Sequence, residues 1–151
     1  MAVLQSTFGE TYDKGYPGME ADGELSNIIT RTLEGATDCA FGRPVYRGAT
    51  DRGVDLAPVA GELVGIALAK KGLPGTTDRA ADFYNAGDNI PVKERGKLWV
   101  TSTTAANKYQ PVYIIAASGA VTNVVGANIE ATGWVFDDTI GAAGVVRIVR
   151  R

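Results

Sequence analysis

The sequence has no histidine and only one cysteine among its 151 residues. Histidine is the side chain that most often acts as a general base or binds a metal ion, so its absence excludes every histidine-dependent catalytic triad. A zinc site needs several Cys or His ligands, and one cysteine cannot supply them. The single thiol, Cys39, cannot form an internal disulfide, and we expect it to lie buried in apolar surroundings. These absences predict a protein that is not an enzyme and that uses no cofactor or metal.

The chain also lacks any long apolar run and any strong excess of one charge. No apolar stretch approaches the roughly 18 residues that a membrane-spanning helix needs, so we expect no membrane partner. Residues 1–12 show neither the basic start nor the apolar centre of a signal peptide, which predicts synthesis in the cytoplasm. The chain has 15 Lys and Arg and 17 Asp and Glu, mixed along its length. Nucleic-acid binding needs clustered Lys and Arg, so we expect no nucleic-acid partner.

Glycine is abundant instead, at 19 of 151 residues, about 13% against a usual level of about 7%. From Ser26 onward, short stretches rich in Val, Ile, Thr and Tyr are separated by turn signals about 8–12 residues apart. This spacing is typical of antiparallel β-barrels and β-sandwiches. We therefore predict a mainly β domain over 26–151, as a barrel, a jelly roll or a sandwich. Within it, the runs on either side of Glu94-Arg95-Gly96 predict a hairpin, and 78–84 is the best helix candidate, although a loop fits equally well.

The first 25 residues differ from the rest of the chain. They contain large apolar side chains but no period of 2 or 3.6, and Pro17-Gly18 signals a turn. Disordered tails are usually poor in aromatic residues, so an arm that packs on another surface is the better interpretation. We predict an extended N-terminal arm, residues 1–25, that forms a protein interface. Its predicted anchors are Phe8, Tyr12, Tyr16 and Met19.

Two halves of the β region share a pattern. Pro44-Val45-Tyr46 recurs as Pro111-Val112-Tyr113, and each triplet is followed by an apolar run that opens with a glycine, Gly65 or Gly133. Each half then continues through a further glycine turn into another apolar strand. A repeat of about 65 residues would form two half-sheets that close on each other to bury their apolar faces. We therefore predict a duplicated β-unit.

Two groups of carboxylates could carry chemistry. Asp137-Asp138 is the obvious pair for acid–base work, but it follows an apolar strand and is better interpreted as a strand end and turn. Glu20, Asp22 and Glu24 resemble a fragment of a calcium-binding loop, although the full 12-residue ligand pattern is absent. Neither group predicts a catalytic or metal site.

The order of these elements resembles that of the capsid cement, or decoration, proteins of tailed bacteriophages. The resemblance covers about residues 38–149. It lies in the stretches GRPVYRG, VDLAPVAGELVGIALA, AGDNIPV, GKLWV, QPVYIIAASGAVT, ATGWVFDD and AAGVVRIV. Members of this group sit on the outside of the mature head and clamp neighbouring major capsid subunits together. The resemblance implies the major capsid protein as partner and a place on the capsid exterior, after synthesis in the host bacterial cytoplasm. Symmetric closure favours self-association as a dimer or a trimer.

The alternative interpretation is a carbohydrate-binding β-sandwich module on a virion head or fibre. Aromatic rings beside a carboxylate are the usual lining of a sugar-binding groove, and Trp99, Trp134 and Asp137 could supply them. The competing interpretation of both tryptophans is that they fill the core, as large aromatic side chains generally do.

Overall fold

The computed structural model describes residues 15–58, 62–70 and 82–151. These residues form eleven β-strands and no helix, which confirms the mainly β prediction. Phe83 and Tyr84, at the end of the helix candidate, form a strand, and residues 78–81 of that candidate lie outside the described residues. The strands are β1 (Asn27–Leu33), β2 (Cys39–Ala40), β3 (Pro44–Arg47), β4 (Gly53–Asp55), β5 (Leu63–Ala67), β6 (Phe83–Tyr84), β7 (Asn89–Ser102), β8 (Pro111–Ile114), β9 (Val121–Thr122), β10 (Ile129–Phe136) and β11 (Gly144–Arg150).

Nine of these strands belong to one sheet that closes on itself twice. The order β1-β4-β3-β5-β7 closes into a ring, which we call the first ring, because β1 also pairs with β7. The order β7-β11-β10-β8-β9 closes into the second ring because β9 also pairs with β7. Strand β7, which is 14 residues long, is shared by the two rings. Strands β2 and β6 form a separate two-stranded sheet.

The two rings have the same topology, which confirms the predicted duplication. The parallel pair β1–β4 of the first ring corresponds to β7–β9 of the second. The antiparallel pairs correspond in the same way. In the first ring they are β1–β7, β3–β4, β3–β5 and β5–β7, and their equivalents in the second ring are, in that order, β7–β11, β8–β9, β8–β10 and β10–β11. The sheet is therefore mixed, and the expectation of a purely antiparallel sheet was wrong. An odd number of strands cannot alternate in direction around a closed ring, so each five-stranded ring must contain a parallel pair.

The sequence repeat lies where the topology requires it, with one shift. Pro44-Val45-Tyr46 begins β3 and Pro111-Val112-Tyr113 begins β8, the equivalent strand. The shift concerns β5 and its equivalent β10. Strand pairing makes Ile66 of β5 equivalent to Val135 of β10, whereas the glycine pattern in the sequence aligned Ile66 with Trp134. A register shift in β10 before Val135 adds the extra residue.

Strand β7 runs without a break from Asn89 to Ser102, so the predicted hairpin at Glu94-Arg95-Gly96 was wrong. Gly96 has a φ of 109°, and a Cβ added there would lie 2.7 Å from the Cβ of Ser26. It marks the point where β7 leaves the first ring, because β1 pairs with β7 up to Arg95 and β11 pairs with it from Gly96 onward. A glycine within a strand can mark a bend or a close approach, and the sequence pattern does not separate these from a turn.

Each ring surrounds its own hydrophobic core. The first core includes Leu33, Val45, Val54, Ile90 and Val92. The second core includes Leu98, Val100, Ile114, Trp134, Phe136 and Ile148. Tyr46 and Ile66 lie on strands of the first ring but belong to the second core, because successive side chains of a strand point to opposite faces. The two rings are therefore packed against each other as well as joined through β7.

Candidate interaction surface

Residues 18–24 of the predicted arm, which we call the arm root, lie along the second half of β7. The amide of Gly18 donates to the carbonyl of Trp99 at 2.8 Å, the amide of Trp99 donates to the carbonyl of Met19 at 2.9 Å, and the amide of Ala21 donates to the carbonyl of Lys97 at 3.3 Å. At the centre of this contact, Leu98 of β7 forms an antiparallel bridge with Glu20. The arm root is therefore fixed to its own domain, and the arm boundary at residue 25 stays a prediction.

Acidic side chains of the arm root form ion pairs with lysines of β7. Glu20 Oε1 lies 2.6 Å from Lys93 Nζ, and the Lys93 side chain is fully buried. Lys97 Nζ lies 3.1 Å from Asp22 Oδ2 and 3.2 Å from Glu24 Oε2. The three acids that resemble part of a calcium loop thus face cations of the protein. Throughout residues 15–58, 62–70 and 82–151, no group of three or more His, Cys, Asp or Glu could hold a metal ion.

The carboxylate pair at 137–138 is also matched by cations. It follows the end of β10, which confirms the turn interpretation. Asp138 Oδ2 accepts a hydrogen bond from Arg147 Nε at 2.7 Å, and this contact lowers the pKa of Asp138. Asp137 is buried, and its Oδ2 lies 3.4 Å from Lys97 Nζ. A general acid requires a carboxyl whose pKa is raised, and the pKa of Asp138 is shifted in the opposite direction. These two side chains have the contacts of structural residues.

The remaining chemical candidates are buried. Cys39 is fully buried, as predicted, and burial raises the pKa of its thiol to about 12. Such a thiol is not a nucleophile at neutral pH, because the thiolate is the reactive form. Trp134 is 1% exposed within the second core, so the alternative interpretation, a carbohydrate groove formed by Trp99, Trp134 and Asp137, was wrong. Trp99 is half-buried, with the Arg147 guanidinium 5.6 Å from its ring centre.

The predicted arm anchors divide between described and undescribed residues. Phe8 and Tyr12 lie outside the described residues. Tyr16 is 45% exposed and Met19 is 39% exposed, although Met19 belongs to the backbone that pairs with β7 and Tyr16 lies just before it. Tyr16 also lines a groove beside Phe41 and the start of β6. These two side chains are available for contact with another protein, and their role as anchors stays a prediction.

Near the arm root, two further exposed apolar residues were missed by the sequence reasoning. Leu25 is 95% exposed and Ile28, at the start of β1, is 43% exposed. Ile28 could have been found from alternation along β1, because its neighbour Ile29 packs on the first core and successive side chains point to opposite faces. Leu25 lies between the arm root and β1, where no periodic pattern assigns a side chain to a face. Together with Tyr16 and Met19, these residues give the stretch 16–28 an apolar, partly exposed surface.

The described residues thus form an all-β fold in which the acids of the arm root and of the 137–138 turn are paired with cations. A family model described as structural cement protein (E217 gp24/Pam3 gp6) matches residues 4–151. The chain belongs to this family of phage structural cement proteins, which confirms the resemblance found in the sequence. Its role is that of a phage capsid cement, or decoration, protein, and it associates with the capsid shell of the virion.

Solved structures support the same fold. A chain of the structure titled "The capsid of Myoviridae Phage XM1" is similar, with a TM-score of 0.69 and 21% sequence identity. The match covers 98% of this chain and 97% of that chain. A search of curated proteins found no match. No helix in the part of the chain that the structure describes is long and apolar enough to cross a membrane.

Proposed function

We propose that this protein binds the outer surface of the major capsid shell, joins neighbouring shell subunits and stabilises the shell without catalysing a reaction. The observation that carries the proposal is the match of the cement-protein family over residues 4–151. The exposed apolar residues of the stretch 16–28 support it, because a side chain such as Leu25, 95% exposed, gains stability when a partner covers it.

The mechanism is multivalent docking. A dimer or trimer places copies of one weak interface across several shell subunits, and linked contacts of this kind raise avidity by roughly 10²–10⁴. The arm, residues 1–25, adds contact area through Phe8, Tyr12, Tyr16 and Met19. Because the arm root is already fixed on β7, binding has fewer residues to order, which lowers its entropic cost.

The first test is direct binding. Purified protein is mixed with undecorated capsid shells, the complex is imaged by electron cryo-microscopy, and the heat resistance of the shells is followed by calorimetry. We expect added density on the outer surface and a higher temperature of shell disruption. Density on the inner surface, or shells that neither bind the protein nor gain heat resistance, would overturn the proposal.

The second test addresses the arm. Two double variants remove the predicted anchors: Phe8→Ala/Tyr12→Ala and Tyr16→Ala/Met19→Ala. The control is Tyr109→Ala, which removes an aromatic side chain, 68% exposed, from the loop between β7 and β8. We expect both arm variants to keep the native circular dichroism spectrum and to lose self-association or shell binding, while the control keeps both. Arm variants that associate and bind like the unaltered protein would refute the arm interface.

A further inference from the structure

A groove of about 470 Å³ opens at one end of the first ring, and we call it the first mouth. Its lining comes from all five strands of that ring: Arg31 of β1, Arg47 of β3, Gly53 of β4, Leu63 of β5 and Arg95 of β7. Arginine is unusual at the opening of a small closed ring, because such interiors are generally filled by apolar side chains. The duplicated second ring shows what the same positions hold when they are filled.

Arg47 occupies a core position of the repeat. Arg47 pairs with Val54 between β3 and β4, and Ile114 pairs with Val121 between the equivalent strands β8 and β9. Val54 and Val121 are both fully buried, in the first and second cores, so the two pairs are equivalent. Ile114 is 1% exposed, whereas Arg47 is exposed. The first ring therefore has an arginine where the second ring has a core isoleucine.

Arg31 repeats the substitution on β1, which β4 separates from β3. On β1, Arg31 lies two residues before the partner of Val54. On β7, Val100 lies two residues before the partner of Val121, so Arg31 and Val100 occupy equivalent positions. Val100 is 1% exposed in the second core. Two core positions of one repeat are thus arginines in the other, which leaves the first mouth open and polar.

The arginines of the first mouth are poorly matched by their own chain. Within the described residues, the side chains of Arg31, Arg47 and Arg95 form no ion pair and no hydrogen bond. A fourth arginine, Arg150 of β11, makes a long contact of 3.5 Å from its Nη1 to the carbonyl oxygen of Glu94. Outside the mouth, Arg147 is paired with Asp138 and Arg151 with Glu24.

We propose that the first mouth is a docking site for an acidic segment of the capsid shell subunit, whose Asp or Glu carboxylates Arg31 and Arg47 bind. A planar guanidinium presents two parallel N–H donors that match a carboxylate, and such charge-assisted pairs are stronger than neutral hydrogen bonds. Three carboxylates also line the mouth: Asp51, Glu62 and Glu94. They repel negative charges placed beside them, so they favour a segment whose own negative charges lie next to the arginines. The identity of the partner rests on the proposed function; the acidic chemistry of the ligand rests on the mouth alone.

The test in the assembly uses charge reversal with a matched control. Arg31→Glu/Arg47→Glu is compared with Arg52→Glu/Lys70→Glu, which makes the same change in net charge at two exposed residues outside the mouth. We expect the mouth variant to bind undecorated shells roughly tenfold or more weakly, and the control to bind as the unaltered protein does. Arg31→Val/Arg47→Ile, which installs the residues of the second ring, should keep the fold and lose the same affinity. Mouth variants that bind shells with full affinity would overturn the inference.

A second measurement separates this inference from the proposed function. Hexaglutamate is titrated into the full-length protein while the Nε–Hε signals of its arginines are followed by nuclear magnetic resonance. We expect saturable shifts of the Arg31 and Arg47 signals, an unmoved Arg52 signal, and no shifts with hexalysine. If these shifts occur but the unaltered protein does not bind shells, the acidic docking site stands and the proposed function fails. If no mouth signal shifts, the inference fails whatever the shells do. If charge reversal at the mouth abolishes self-association and spares shell binding, the occupant is a second copy of the chain, and the shell partner is refuted.

Discussion

Replacement of Glu20 by Gln tests whether a buried cation fixes the arm root. The Lys93 ammonium is fully buried, and its carboxylate partner is Glu20, with Nζ and Oε1 2.6 Å apart. Its other polar contact is the carbonyl of Lys97 at 3.3 Å. Glutamine keeps the size of the side chain and one hydrogen-bond acceptor but removes the negative charge. The variant therefore leaves the buried ammonium without an opposite charge.

The expected cost follows from burial. Removing one partner of a fully buried ion pair costs about 3–5 kcal/mol. The Glu20 side chain is 49% exposed, so water already weakens the pair, and the Lys97 carbonyl remains in place. We therefore expect a loss of about 2 kcal/mol, below the fully buried range. For a chain of this length, a loss of that size lowers Tm by roughly 4–8 °C.

Urea unfolding followed by tryptophan fluorescence measures this loss, with Glu130→Gln as the control. Glu130 is exposed on β10, and its substitution should change stability by less than about 0.5 kcal/mol. Lys93→Met removes the buried charge itself, so adding Glu20→Gln to it should cost little more. The double-mutant cycle should give a coupling of about 1–2 kcal/mol. A Glu20→Gln variant as stable as the control, or effects of the two changes that simply add, would refute the reasoning.

Two further predictions concern titration. The hydrogen bond from Arg147 lowers the pKa of Asp138 in the folded state. This contact therefore stabilises the fold at pH values above the ordinary Asp pKa of about 3.9. Its contribution is lost as pH falls through the pKa that Asp138 has in the folded protein. Asp138→Asn should therefore cost about 0.5–1 kcal/mol at pH 7 and progressively less as pH falls below about 3.9, as measured by urea unfolding; a loss that does not shrink as pH is lowered would contradict this. Cys39, with a pKa of about 12, should react with a thiol reagent at pH 8 only when the chain unfolds, and fast labelling of the native protein would contradict its burial.

The duplication was visible in the sequence, and the closure of the rings was not. Pro-Val-Tyr survives in both halves because the same strand, β3 or β8, begins there in each ring. Closure depends instead on pairs between distant residues, such as the side-chain contact of Thr32 with Asn89, which lie 57 positions apart. In the sequence, Gly96 signalled a turn. Strand β7 continues through it, as shown by its pairing with β1 before Gly96 and with β11 from Gly96 onward.

The arm root shows the same limit. The acids at 20, 22 and 24 alternate along the chain, but the sequence does not show which cations they meet, because Lys93 lies 73 positions from Glu20. The segment also forms too few backbone hydrogen bonds to β7 for a regular strand, so it has no periodic apolar pattern to detect. Its attachment to the domain therefore could not be predicted.

The shared strand explains how one repeat can carry arginines at core positions. A small ring with Arg31 and Arg47 at its mouth gives up apolar burial that Val100 and Ile114 provide in the second ring, and each such side chain contributes about 1.5–3 kcal/mol when buried. An isolated ring of this size would have little stability to spare. The first ring is not isolated, because β7 runs through both rings and side chains of β3 and β5 complete the second core. The second ring thus stabilises the pair, which leaves the mouth of the first free to be selected for binding rather than for packing.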